Sequence, residues 1–268
     1  MRNFIKSLIP PFFLNIFKKI KNYKYGWKGE YSTWQEAQND ATGYDTDGIL
    51  QTVKRSLLKV KNGEAIYERD GALFDEIQYS WQLLTGLMFA SAKQLCSEGV
   101  RVLDFGGSLG STYYQNKIFL DQFNNVSWSV VEQKHFTDVG KKYFEDDRLK
   151  FFNTVEECIQ QYHPNILILS SVLQYIEKPY ELLNLILKND FKTILIDRTS
   201  FSKVNEKIKL QIVPPSIYEA SYPCWFFDEL KFITYFESNN YNVVESFMTT
   251  EGESNEYIFK GFIMQRNA

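Results

Sequence analysis

Val100-Arg101-Val102-Leu103-Asp104-Phe105-Gly106-Gly107-Ser108-Leu109-Gly110 is the stretch on which the fold turns. A run of strand length, apolar apart from Arg101, ends on an acid and breaks into a glycine-rich turn. Such runs suit strands buried on both faces of a parallel sheet, and a helix is expected to follow over 109–124. Glycine permits positive φ and lets backbone N–H groups approach a ligand closely. The helix start adds the positive end of its dipole. Taken alone, the turn is also compatible with nothing more than a tight β–α connection.

On its carboxyl side, short apolar runs alternate with helix-like stretches, the pattern of parallel βαβ units. Strands are expected at 127–132, 149–152, 165–170 and 192–197, with helices near 136–145, 154–162 and 178–189. An irregular, aromatic-rich stretch at 198–226 follows, then a helix near 228–239 and strands at 241–247 and 257–264. The last two strands are joined by the polar segment 249–256, short enough for an antiparallel hairpin. Five parallel strands closed by such a hairpin make the Rossmann-like, seven-stranded sheet of class I methyltransferases. A dinucleotide-binding sheet is normally parallel throughout. Residues 27–99, read as helical at 45–60 and 75–97, are expected to form a helical cap over the carboxyl edge of the 100–268 domain. The stretch at 198–226 is read as a substrate-loop insertion in that domain.

The 268 residues carry a net charge of −3, which gives no global signal for nucleic acid. Apolar residues at 44% suit a globular core, and 22 Phe and 17 Tyr suit a site that stacks rings as well as an aromatic core. Cys96, Cys158 and Cys224 are odd in number and widely spaced, so neither a disulfide framework nor a metal pair follows. They read as reduced thiols of a cytoplasmic protein. His135 and His163 have no carboxylate or cysteine at ligand spacing, and no metal is expected. Residues 1–26 form a basic arm in which Phe13, Ile16, Phe17 and Ile20 make one helical stripe beside Lys18, Lys19 and Lys21. Two readings stay open for it: a peripheral contact with an anionic membrane at its inner face, or an arm packed on protein.

The carboxyl ends of the strands hold the candidate chemistry. Asp104 is placed to accept a hydrogen bond from the α-amino group of a methionine moiety, whose carboxylate suits the turn formed by Gly106, Gly107, Ser108 and Gly110. A nicotinamide fingerprint starting at Gly106 would need glycine at 108 and 111, and both are Ser. Glu132 ends the second strand 28 positions after Asp104, where a carboxylate can accept both ribose hydroxyls. Gln133 is assigned to the adenosine side, and Phe152 either lines an adenine pocket or belongs to the core. Together these point to S-adenosylmethionine as cofactor. Ser170, Ser171, Gln174 and Tyr175 border the donated methyl group and the acceptor. Asp197 is read as a general base and Arg198 as a holder of an anionic group, or the two as a salt bridge ordering their loop. The cluster Tyr67-Glu68-Arg69-Asp70-Gly71 concentrates charge within the cap.

The chain also resembles a bacterial methyltransferase family met in surface-polysaccharide (O-antigen and capsule) biosynthesis loci. The likeness is carried by Gly29-Glu30-Tyr31 with Trp34, Gly43-Tyr44-Asp45, Tyr67-Glu68-Arg69-Asp70 and Leu103 to Ser111. It continues through Trp128 to Gln133, Leu169 to Tyr175, Ile196-Asp197-Arg198-Thr199 and Tyr222-Pro223-Cys224-Trp225-Phe226. The resemblance spans about residues 26–265, implies the methyl-transfer fold and a surface-glycan context, and supplies no defined substrate. The expected acceptor is a hydroxyl of a small molecule, sugar or lipid-linked glycan. Two rivals stand beside it: a nicotinamide-dependent sugar-nucleotide enzyme, and a non-catalytic nucleotide-binding protein of the same fold.

Overall fold

The computed structural model describes residues 25–43, 46–94, 99–123, 125–215 and 217–267. In chain order the first elements are β1 (Gly26–Tyr31), α1 (Trp34–Asp40), α2 (Thr46–Lys61), β2 (Tyr67–Arg69), β3 (Ala72–Phe74) and α3 (Trp81–Gln94). The alternating region follows as β4 (Val100–Phe105), α4 (Ser111–Leu120), β5 (Val126–Val131), α5 (Lys134–Tyr143), β6 (Leu149–Phe152), α6 (Val155–Tyr162) and β7 (Ile166–Ser170). A single 3-10 turn, Leu173–Tyr175, leads to α7 (Pro179–Ile186) and β8 (Thr193–Ser202). The chain ends with β9 (Lys207–Ile212), β10 (Ser221–Phe226), α8 (Glu229–Ser238), β11 (Tyr241–Glu253) and β12 (Tyr257–Arg266).

Seven strands form one sheet in the order β11-β12-β8-β7-β4-β5-β6. The five from β4 to β8 pair in parallel, whereas β12 runs antiparallel to both β8 and β11. This is the class I methyltransferase sheet expected from the alternation and the terminal hairpin. Order reverses at β4, which lies between β5 and β7, so the carboxyl ends of these strands frame the crevice where open α/β sheets take ligands.

Burial on both faces explains the nearly continuous apolar strands. On one face Leu103, Leu167, Leu169, Ile194 and Ile196 pack with Leu183 and Ile186 of α7 and with Phe232 and Phe236 of α8. Phe201 sits edge-on to Phe232 at 5.2 Å and to Phe262 at 5.6 Å. Such pairs add about 0.5–1.5 kcal/mol each beyond the area they bury. On the other face α3 packs across β4, β8 and β12.

Two compact units emerge, and they divide the expected cap differently: residues up to 45 group with 208–224, while 46–207 group with 225–268. The first unit contains β1, antiparallel to β9, with α1 opened by a reciprocal cap between Thr33 and Glu36. Residues 26–31 and 67–74, expected within a helical cap, are therefore largely strand. Helix α3 starts at Trp81 and not near 75, because the Ser80 hydroxyl accepts from the Leu83 N–H at 3.3 Å and sets its first turn.

The stretch 198–226 is not irregular. Strand β8 continues to Ser202, pairing Thr199 with Lys260 and Phe201 with Ile258. Strand β9 reads Lys-Ile-Lys-Leu-Gln-Ile, a period-2 pattern that buries Ile208 and Leu210. Strand β10 tolerates Pro223 because it lies at the edge of the three-stranded sheet β1-β9-β10. The basic arm up to Lys24 and Cys96 lie outside the described residues.

Candidate functional site

The glycine turn does what its composition allows. Gly106 has φ 71°, Ser108 φ 54° and Gly110 φ 92°, three left-handed residues within five positions. A Cβ on Gly106 would lie 2.5 Å from Val172 Cγ2, so only glycine lets the turn sit against the loop after β7. A Cβ on Gly107 would lie 2.6 Å from the Asp104 carboxyl carbon, which places that carboxyl directly under the turn. The Gly106 N–H bonds the Val131 carbonyl at 2.9 Å, fastening the turn to the end of β5.

Asp104 is buried, and its Oδ2 accepts from Trp128 Nε1 at 3.1 Å. Loss of water dominates its titration and pushes its pKa up to about 7 despite that hydrogen bond. Glu132 stands one residue beyond β5, and its Oε2 accepts from the backbone N–H of Gln133 at 2.7 Å. Burial raises its pKa too. Gln133 is exposed and opens α5 without a side-chain cap, leaving its amide to outside partners. The ring of Phe152 turns into the core, edge-on to Tyr162 at 5.5 Å, and so belongs to the packing behind this end of the sheet.

The ends of β7 and β8 are cross-linked. Ser171 donates its N–H to the Asp197 carbonyl at 2.9 Å. Fully buried Gln174 donates through Nε2 to the Arg198 carbonyl at 2.9 Å. Ser170 Oγ lies 3.4 Å from Arg198 Nε, a weak contact, and Tyr175 ends the 3-10 turn half-buried. Asp197 is only 2% exposed and its Oδ1 has no hydrogen-bond partner within the protein. Burial raises its pKa above the usual carboxylate range, opposed by Arg198 and by the Ser80 hydroxyl. The Arg198 guanidinium lies 3.7 Å from both Asp70 and Glu251, so its charge is answered within the protein by carboxylates of two other segments.

Four of the six described non-glycine residues with positive φ are Asp70, Ser108, Ser171 and Arg198. Left-handed backbone costs such residues about 1–3 kcal/mol each, and these four gather around one crevice. In the sequence Glu68 and Asp70 stand out as part of a charged cluster and of the family resemblance, with no site role attached. In the structure Glu68 is buried, with Oε1 accepting from the Gly71 N–H at 2.6 Å and Oε2 from the Ser111 hydroxyl at 2.7 Å. Burial pushes its pKa up to about 7. The Asp70-Gly71 pair was the available signal, since Asp-Gly favours a tight hairpin turn. Ser80 and Glu251 carried no signal, because only the tertiary fold brings them to Asp197 and Arg198.

Among the described residues no His, Cys, Asp and Glu side chains gather as a metal site, and no helix is long and apolar enough to cross a membrane. Several solved structures are similar to the chain. The N-terminal domain of EvdMO1, solved in the presence of S-adenosylhomocysteine and D-fucose, matches 84% of this chain and 98% of its own at 12% identity, with a TM-score of 0.50. The glycopeptide N-methyltransferase MtfA with S-adenosylmethionine matches 69% of this chain and 94% of its own at 9% identity and TM-score 0.47. Magnesium protoporphyrin IX methyltransferase (ChlM) from Synechocystis PCC 6803 with bound S-adenosylmethionine matches 70% and 79% at 13% identity and TM-score 0.44. At 12% identity the likeness to the EvdMO1 domain is one of fold alone. No protein-family model matches the chain, and no curated protein sequence is similar to it.

Proposed function

We propose that this chain is an S-adenosylmethionine-dependent methyltransferase that methylates a hydroxyl of a sugar or lipid-linked glycan in surface-polysaccharide synthesis. The observation that carries the reading is the left-handed glycine turn, bonded to the end of β5 immediately before the acid Glu132. The residues fit the cofactor: Gly106 and Gly107 sit where any side chain would collide, and Glu132 has a carboxylate oxygen beyond the one used by Gln133. S-adenosylmethionine supplies, when bound, a methyl group made electrophilic by its sulfonium sulfur.

In this reading Gly106, Gly107, Ser108 and Gly110 hold the amino-acid end of the cofactor, and Asp104 accepts from its ammonium group. Glu132 takes the ribose hydroxyls and Gln133 the adenosine side, with Phe152 closing that end from within the core. Ser170 and Ser171 line the methyl-bearing side, and Tyr175 borders the acceptor. Asp197 receives the acceptor hydroxyl's proton on Oδ1, leaving the oxygen as nucleophile. Arg198, shared between Asp70 and Glu251, holds the Asp197 turn in place. The glycan acceptor rests on the family resemblance of the sequence, and the D-fucose present with the EvdMO1 domain is in keeping with it. The basic arm is assigned to an anionic membrane surface, where a lipid-linked acceptor resides.

Isothermal titration with S-adenosylmethionine and S-adenosylhomocysteine tests the cofactor. Both are expected to bind, and Glu132→Ala to bind roughly tenfold or more weakly through loss of charge-assisted hydrogen bonds. Failure of the wild type to bind either one overturns the reading. For the base, Asp197→Asn is expected to lower turnover about 10²–10⁴-fold with cofactor affinity nearly unchanged. Wild-type turnover should rise with pH as Asp197 ionises, above the ordinary carboxylate range.

A further inference from the structure

The hairpin of β2 and β3 is tied to the crevice at both of its ends. Its turn, Asp70-Gly71, is left-handed at both residues, with φ 52° and 82°, and the Glu68 carboxylate accepts the Gly71 N–H. The other oxygen of Glu68 accepts from Ser111, the first residue of the helix that follows the glycine turn. One helical turn further on, Gln115 Nε2 donates to the Tyr67 hydroxyl at 3.1 Å and to the Gln78 carbonyl at 2.6 Å. Ser111 and Gln115 are four residues apart and share a face of α4, so the hairpin grips that helix at two points. At the tip, Asp70 Oδ2 faces the Arg198 guanidinium at the end of β8. Strand β7 lies between β4 and β8 in the sheet, so the hairpin reaches from the glycine-turn helix across to the Asp197 turn.

Glu68 stands at the joint of this strap. It is 1% exposed, its partners are two neutral donors, and the charged group acting on it is Asp70, of like sign. Burying an acid among neutral donors costs stability that an apolar side chain would not. What the carboxylate provides is geometry: one group orients both the hairpin turn and the first turn of α4. We propose that Glu68 is a positioning residue for the cofactor, coupling the hairpin strap to the glycine turn through Ser111. This rests on the methyltransferase reading for the identity of the ligand, whereas the coupling itself is a property of the unliganded protein.

The test combines hydrogen exchange with titration of S-adenosylhomocysteine, on the full chain as wild type, Glu68→Ala, Glu68→Gln and Ser111→Ala. Glutamine can accept from the Gly71 N–H and donate to the Ser111 hydroxyl, so it keeps both links without charge. In the unliganded protein Glu68→Ala is expected to speed exchange in 66–74 and in 106–113 together, with protection of β7 and β12 unchanged. Glu68→Gln is expected to restore wild-type exchange in both segments. S-adenosylhomocysteine affinity should fall about tenfold in Glu68→Ala and recover to within roughly threefold in Glu68→Gln. Should Glu68→Ala fail to fold, Ser111→Ala cuts the same link from the helix side and is expected to free both segments.

Faster exchange confined to the hairpin, with the 106–113 segment and affinity unchanged, overturns the proposal. So does failure of glutamine to rescue a folded alanine variant. If no variant binds S-adenosylhomocysteine but the two segments still loosen together, the coupling stands and the methyltransferase reading falls.

Discussion

Asp104 shows how one residue can be legible in identity and illegible in environment. Its place after an apolar run and before glycines is plain in the sequence. Its burial beside Trp128 Nε1 comes from two strands lying side by side. Burial disfavours its charged form, so the native state holds a proton that the unfolded chain has already released. With a pKa raised from 3.8 to about 7, stability should fall as pH rises through that window. The protonated form has its full advantage below pH ~4 and has lost it above pH ~7. Asp104→Asn should remove this share of the slope, on the order of a few kcal/mol. Urea denaturation at several pH values between ~4.5 and ~7.5 checks it. Identical slopes in the two proteins would show that Asp104 ionises as it does in water. Arg198 teaches the complementary lesson, since an Asp-Arg pair at a strand end reads equally as a ligand holder or an internal ion pair. The structure sets its guanidinium 3.7 Å from Asp70 and from Glu251, partners that no local pattern named.

At the scale of elements, the parallel strands were legible because each is an apolar run too short for a helix and bounded by polar turns. The hairpin β2–β3 was missed although Asp-Gly announced it, because its three-residue strands offer too little periodicity. Strand β9 was missed although its alternation is regular, because aromatics and prolines nearby suggested a loop. The last helix is better specified: Asp228 precedes Glu229-Leu230-Lys231, and its Oδ1 accepts the Lys231 N–H at 2.9 Å. Asp228→Ala should cost about 1 kcal/mol, read as a lowered denaturation midpoint with S-adenosylhomocysteine affinity unchanged. A loss of affinity would instead tie α8 to the site. Phe232 and Phe236, four apart on this helix, explain why it seats firmly on the sheet once capped.

For the whole molecule, charge is the informative quantity. The net value of −3 hides an arm, residues 1–26, with six basic residues and no acid. Attraction to anionic lipid is worth about 1 kcal/mol per basic residue near the surface and weakens with salt. Full-length protein is therefore expected to pellet with anionic liposomes at low salt, and a version beginning at Trp27 to remain in the supernatant. Equal pelleting of the two would assign the arm to protein contacts.

By itself the sequence determined the sheet, its parallel run, its antiparallel close and the glycine turn with Asp104 and Glu132, because these depend on local period, length and turn chemistry. Tertiary structure alone decided the division of the cap, the course of β9 and β10, the partners of Arg198 and the place of Glu68. Apart from the alternation within β9, each of those rests on groups far apart in the chain, brought together by long-range pairing that no local pattern records.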